Sequence, residues 1–183
     1  MPYMAKDLIA NSNRWKMMMD KVGTVATHAA QFWVNKTASE MGWNDLVAKH
    51  NIGDIPADLK TVITSFVEPL DTWADMSDLI VREDWTTEQP KSIAYFCSPA
   101  HDAGVDPGSF DDRVKEWADK DLTRMWPGAL KNGKFDTSLL VSETAKTGPA
   151  KFKSQYFREN FYGSERYVLS VPGSVKYLSL IHI

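Results

Sequence analysis

Four histidines, one cysteine, ten glycines and a scatter of carboxylates are the groups with which this 183-residue chain can do chemistry, and their spacing limits which kinds. A protein metal centre needs ligands recurring at short intervals. His28, His50, His101 and His182 show no paired spacing and Cys97 is the only thiol, so no ligand set is written along the chain. His101-Asp102 is the best local pair and reads as a solvated turn. A catalytic thiol needs a positioned base, and His101 is the nearest one to Cys97. Cys97 however ends the apolar run SIAYFC, where a cysteine usually serves as a small hydrophobe. No G-x-S-x-G elbow marks a serine nucleophile. Glu68, Asp71, Asp75 and Asp78 are spaced so that some can share a helical face. Acid–base catalysis also needs shifted pKa values, and capping near a turn is the plainer reading.

Phosphate binding fares no better. A dinucleotide fingerprint needs glycines at the first, third and sixth positions of a strand-to-helix turn, so that backbone can approach the pyrophosphate. The glycines are at 23, 42, 53, 104, 108, 128, 133, 148, 163 and 173. No two are two apart, and no Walker-type loop is present. Lys151, Lys153, Arg158 and Arg166 are interleaved with Phe152, Tyr156, Phe157, Phe161, Tyr162 and Tyr167. Such a mixture can grip single-stranded nucleic acid, but a net charge of −3 gives no basic footprint. Packing at a domain edge is the simpler expectation.

Composition bounds the class. Hydrophobic residues make up 43% and charged residues 25%, values of an ordinary folded domain. Seven Trp, eight Phe and six Tyr favour a deep core or an aromatic-lined cleft. A single cysteine excludes an internal disulfide. No stretch has the length and apolarity of a membrane span, and residues 1–3 lead directly into helix-like sequence rather than a signal peptide. The expected location is cytoplasmic, with no nucleic acid and no membrane as partner.

The elements that must position these groups are read from periodicity. Residues 4–22 predict a helix ended by Gly23, and residues 24 or 25 to 41 a second, with Val25, Ala29, Ala30, Trp33, Val34, Thr37 and Met41 as its stripe and Gly42 as its end. Leu46 and Val47 allow a short helix, but residues 44–60 read as a loop around Gly53 and Pro56. Residues 61–69 predict a strand, 72–79 one or two helical turns, and 92–97 a second strand. A third helix opens at Ser109, buries Val114, Trp117, Leu122, Met125 and Trp126, and stops at Pro127-Gly128. Residues 138–142 and 166–171 predict further strands. The fold class is mixed α and β (α+β), with helices packed on a partial sheet completed elsewhere.

Three stretches in order carry a likeness to known proteins. They are VATHAAQFWVNKTASEMGW (25–43), the span from SFVEPLDTWADMSDLI through REDW to SIAYFCSP (65–99), and QYFRENFYGSERYVLSVPGSVKY (155–177). Together they resemble the flavin-containing, amine-oxidase-like FAD-dependent oxidoreductases of the NAD(P)-binding, phytoene-desaturase-like group. Proteins of that family bind FAD through an N-terminal Gly-rich turn and a later Gly-Asp-Trp-like segment. Between these a substrate domain, a sheet with helices, roofs the flavin ring.

The resemblance implies that residues 1–177 are a substrate-domain fragment with the start of the return to the FAD-binding domain. It implies hydride transfer from an apolar or amine small-molecule substrate to FAD in the parent protein. The fragment itself would retain no flavin and be inactive without the missing parts of the parent chain. Tyr167 is carried over as the residue facing flavin, and Gln31 and Trp33 as substrate contacts; no proton-transfer residue is implied. Residues 178–183 (LSLIHI) resemble translated sequencing adapter and are expected to be a non-native tail. Two alternatives stay open: a non-catalytic module whose aromatic cleft binds an apolar ligand or protein partner, and a hydrolase built on Cys97.

Overall fold

The computed structural model describes residues 5–50, 60–100, 110–169 and 171–178. The protein is mixed α and β, with an open five-stranded sheet, two small two-stranded sheets and short helices; none of these sheets closes. The chain divides into two compact units. One comprises Met1–Thr27, Pro99–Val105 and Glu159–Ile183, the other His28–Ser98 and Asp106–Arg158.

The larger unit is built on the five-stranded sheet. Its strands are β2 (Thr27–Val34), β3 (Val62–Ile63), β4 (Thr72–Asp75), β5 (Ser92–Pro99) and β8 (Tyr156–Asn160), in the order β3-β4-β5-β2-β8. β3, β4 and β5 pair antiparallel. The Lys91 N–H donates to the Val34 carbonyl and the Ala100 N–H to the Ala26 carbonyl, so β5 runs antiparallel to β2 as well. Because strand side chains alternate between faces, Ala30, Phe32 and Val34 of β2 share one face with Trp73 of β4 and with Ala94 and Phe96 of β5, and all are buried.

Helices cover that face. They are α3 (Trp43–Lys49), α4 (Phe110–Trp117), α5 (Thr123–Met125) and α6 (Gly148–Lys153), with a π turn at Ala118–Leu122 joining α4 to α5. Phe96 meets Trp117 at 5.1 Å and Trp126 at 5.5 Å, ring centre to ring centre, both edge to face. Trp73 meets Trp43 at 5.3 Å and Trp126 at 5.4 Å in the same manner. Such pairs add about 0.5–1.5 kcal/mol each beyond the area they bury. The aromatic richness therefore goes first into a core. A hairpin of β6 (Leu130–Lys131) and β7 (Lys134–Phe135) closes one end, held by the Phe135 N–H donating to Asp119 Oδ1 at 3.1 Å.

The smaller unit contains α1 (Lys6–Asn11), α2 (Asn13–Lys21), β1 (Gly23–Val25), β9 (Tyr167–Leu169) and α7 (Val175–Leu178). β1 and β9 pair antiparallel, with Gly23 opposite Leu169 and Val25 opposite Tyr167. Arg166 fastens the ribbon through Thr24 Oγ1 and the Thr24 carbonyl, each at 3.0 Å.

Several sequence expectations need correction. The second helix, over 24 or 25 to 41, is instead β1 and β2. His28, Ala29 and Ala30 are buried on both faces of a central strand, so burial there shows no alternation and the stretch imitates a helical stripe. Gly42, expected to end that helix, takes φ 91° at the start of α3. The first helix breaks at Ser12, which is extended and caps the Trp15 N–H. The 61–69 strand shrinks to Val62–Ile63, because Ser65 turns at φ 62° and the Phe66 N–H closes back on the Asp71 carbonyl. Residues 72–75 form β4 rather than a helical turn; the turns come later, as a 3-10 helix at Ser77–Arg82. The 138–142 strand is a 3-10 turn at Thr137–Leu139, capped by the Asp136 carboxylate, followed by one bridge from Leu140 to Val34. The 92–97 strand stands as β5, the third helix as α4, the π turn and α5, and the last strand as β9. The start of the 44–60 loop is instead α3, over Trp43–Lys49, so the short helix allowed by Leu46 and Val47 forms; residues 51–59, the N-terminal Ser109 of the third helix and all but the first residue of the tail at 178–183 lie outside the described residues.

Candidate functional site

With the core helices gathered on one face of the larger unit's sheet, the opposite face carries the remaining chemistry. On β2 it takes Gln31 and Trp33, two residues apart and both partly exposed. The β4–β5 register sets Thr72 opposite Cys97 and Ala74 opposite Tyr95 on that same face. The two substrate contacts expected from the sequence are therefore neighbours on a central strand. Tyr167 belongs to the smaller unit, on β9, where it is 56% exposed.

Trp33 is held from three sides. Its main-chain N–H donates to Gln155 Oε1 at 2.8 Å, and Gln155 is itself buried and donates to the Val141 and Lys151 carbonyls. Its indole N–H lies 3.1 and 2.9 Å from the two carboxylate oxygens of Glu83. Trp85 donates to the same carboxylate at 2.7 Å. The two indole rings stand 6.0 Å apart at 64°. The segment bearing Glu83 and Trp85 is fixed in turn by Glu143, which accepts from the Thr86 N–H at 2.8 Å and from the Thr86 hydroxyl. Neither Glu83 nor Trp85 was singled out as a site residue by the sequence. Only the REDW run hinted at them, and no spacing rule links residues 83–85 to position 33.

The other candidates take structural roles. Cys97 is partly buried, and burial, with the nearby Asp71 charge, pushes its thiol above the ordinary range. A raised thiol pKa disfavours the thiolate a nucleophile needs; His101 lies outside the described residues. Asp71 accepts from the Thr72 hydroxyl and Asp75 from the Ser77 N–H, turn contacts that need no catalysis. His28 is buried and stacks on Phe110 at 4.7 Å. Among the described residues no group of three potential ligands gathers to hold a metal, and no helix is long and apolar enough to cross a membrane. No protein-family model, curated protein or solved structure matches the chain.

Proposed function

We propose that this chain forms the substrate-side part of a FAD-dependent oxidoreductase of the amine-oxidase-like kind, working in the cytoplasm on a small apolar or amine molecule. The observation that carries the reading is a sheet with helices gathered on one face and Gln31 and Trp33 side by side on the other. A domain that roofs a flat ring needs side chains on one face that can meet it. The side chains there suit that role: Trp33 and Tyr95 offer apolar area with a polar edge, Gln31 an amide, and Ala74 only a methyl group. The glycine spacing cannot supply the pyrophosphate turn, so the flavin's dinucleotide would be held by other parts of the parent protein.

Flavin, when bound, supplies the hydride acceptor. This chain's part is to hold the substrate's C–H bond against the ring and keep water away, with Gln31 and Trp33 touching the substrate. The test is to read the gene outward across both ends of this frame and express the longer product. A yellow protein whose flavin absorbance bleaches on adding substrate supports the reading. Trp33→Ala should then raise KM at least about tenfold, the effect of losing a buried aromatic contact. A longer product that contains neither flavin motif and binds no flavin overturns it.

A further inference from the structure

Among the described residues no cation stands beside the Glu83 carboxylate. Its carboxylate is partly buried and accepts from two indoles, Trp33 and Trp85. No lysine or arginine among the described residues pairs with it, although other carboxylates do find cations, as Glu40 finds Lys91. Removing a charge from water is costly unless it is paired. Two neutral donors solvate the carboxylate but leave its full charge uncompensated.

The surroundings specify what would compensate it. Trp33 and Trp85 form two walls of a corner, 6.0 Å apart at 64°, with the carboxylate on their N–H edges. Indole faces carry the negative side of the ring quadrupole and attract cations, most strongly those that shed water easily. A bare metal ion fits poorly, since one carboxylate already accepting three N–H contacts offers a hard cation too few oxygens. An ammonium bearing methyl groups is matched instead, its positive methyls resting on the rings and its charge facing Glu83. The corner is also preformed, because Trp33 sits on a central strand and Glu143 fastens Thr86 beside Trp85. We propose that Trp33, Trp85 and Glu83 form a binding site for an alkylated ammonium group. The site shares Trp33 with the flavoenzyme reading but requires no flavin, so either can fail alone.

The experiment is to titrate the full chain with tetramethylammonium chloride and with choline, following the Trp33 and Trp85 indole N–H signals by NMR. Sodium chloride and choline's uncharged isostere, with a tert-butyl group in place of trimethylammonium, are the comparators. Saturable shifts at those two signals with the cations only are the expected result. Glu83→Gln and Trp85→Leu should each weaken binding by at least about tenfold. Absence of a saturable shift overturns the proposal, as does an isostere that binds as tightly as choline. A folded Glu83→Gln protein that binds choline like the parent overturns it too; if that variant does not fold, choline against its isostere in the parent protein decides.

Discussion

Glu143 is exposed, yet its carboxylate is fully engaged. The Thr86 hydroxyl donates to it first and the Thr86 main-chain N–H second, and both hold its pKa below the ordinary value of 4.5. A carboxyl with a depressed folded-state pKa contributes stability above its unfolded value and loses it as pH falls through the folded one. Acidification below pH 4.5 should therefore loosen the 83–87 segment and change the fluorescence of Trp85. Glu143→Gln should flatten that step. A second step should survive the substitution, since Glu40 is depressed in the same direction by the Thr37 N–H and by Lys91. At this scale, Gln31 and Trp33 came from the resemblance, and β2 sets them on one face of the sheet. Their partners were not legible in the sequence, because Glu83 reaches Trp33 only through a chain crossing that no local spacing encodes.

Between elements, backbone approaches backbone closely where residues 40–42 pass the turn at Pro127–Ala129. The Gly128 N–H donates to the Met41 carbonyl at 2.8 Å, and a Cβ on Gly128 would stand 2.6 Å from the Glu40 carbonyl oxygen. That obstacle is backbone and cannot swing aside. Gly128→Ala should cost about 1–3 kcal/mol, read as a lower denaturant midpoint with an unchanged slope. Gly42 lies across the same contact, and its φ of 91° makes a side chain unwelcome there too. Element type followed from sequence where one signal dominated. β5 is a short apolar run between prolines, and the third helix has a long, strongly periodic stripe. β2 was misread because residues 28–30, buried on both faces, lose the period of two that residues 30–34 keep, so the sheet around them supplies the strand preference. The β6–β7 hairpin was passed over although Asn132-Gly133, with φ 52° and 76°, is the usual sequence mark of such a turn.

The two units differ in how much they bury. In the larger one, Ala30, Phe32, Trp73, Phe96 and Trp126 are at most 2% exposed. In the smaller one, α1 and α2 bury no residue, and Tyr167, Val168 and Leu169 of β9 are all exposed. Regions with few buried apolar contacts open at low free energy. Amide hydrogens of α2, β1 and β9 should exchange well before those of β2 and β5, as mass spectrometry after proteolysis would show; equal protection would contradict the burial. The mixed class and the open sheet were legible in the alternation of signals, whereas the gathering of the core helices on one face was not, since the near-continuous apolar strands suggested a sheet covered on both; nor was the division into units, which depends on which distant segments meet. That division also bears on how the chain is made. β1 at 23–25 leaves the ribosome well before β9 at 167–169 and finds its partner only when β9 emerges. The larger unit ends at Arg158 and can close first. Until β9 emerges, β1 has no strand partner, and chaperone capture during translation should concentrate there.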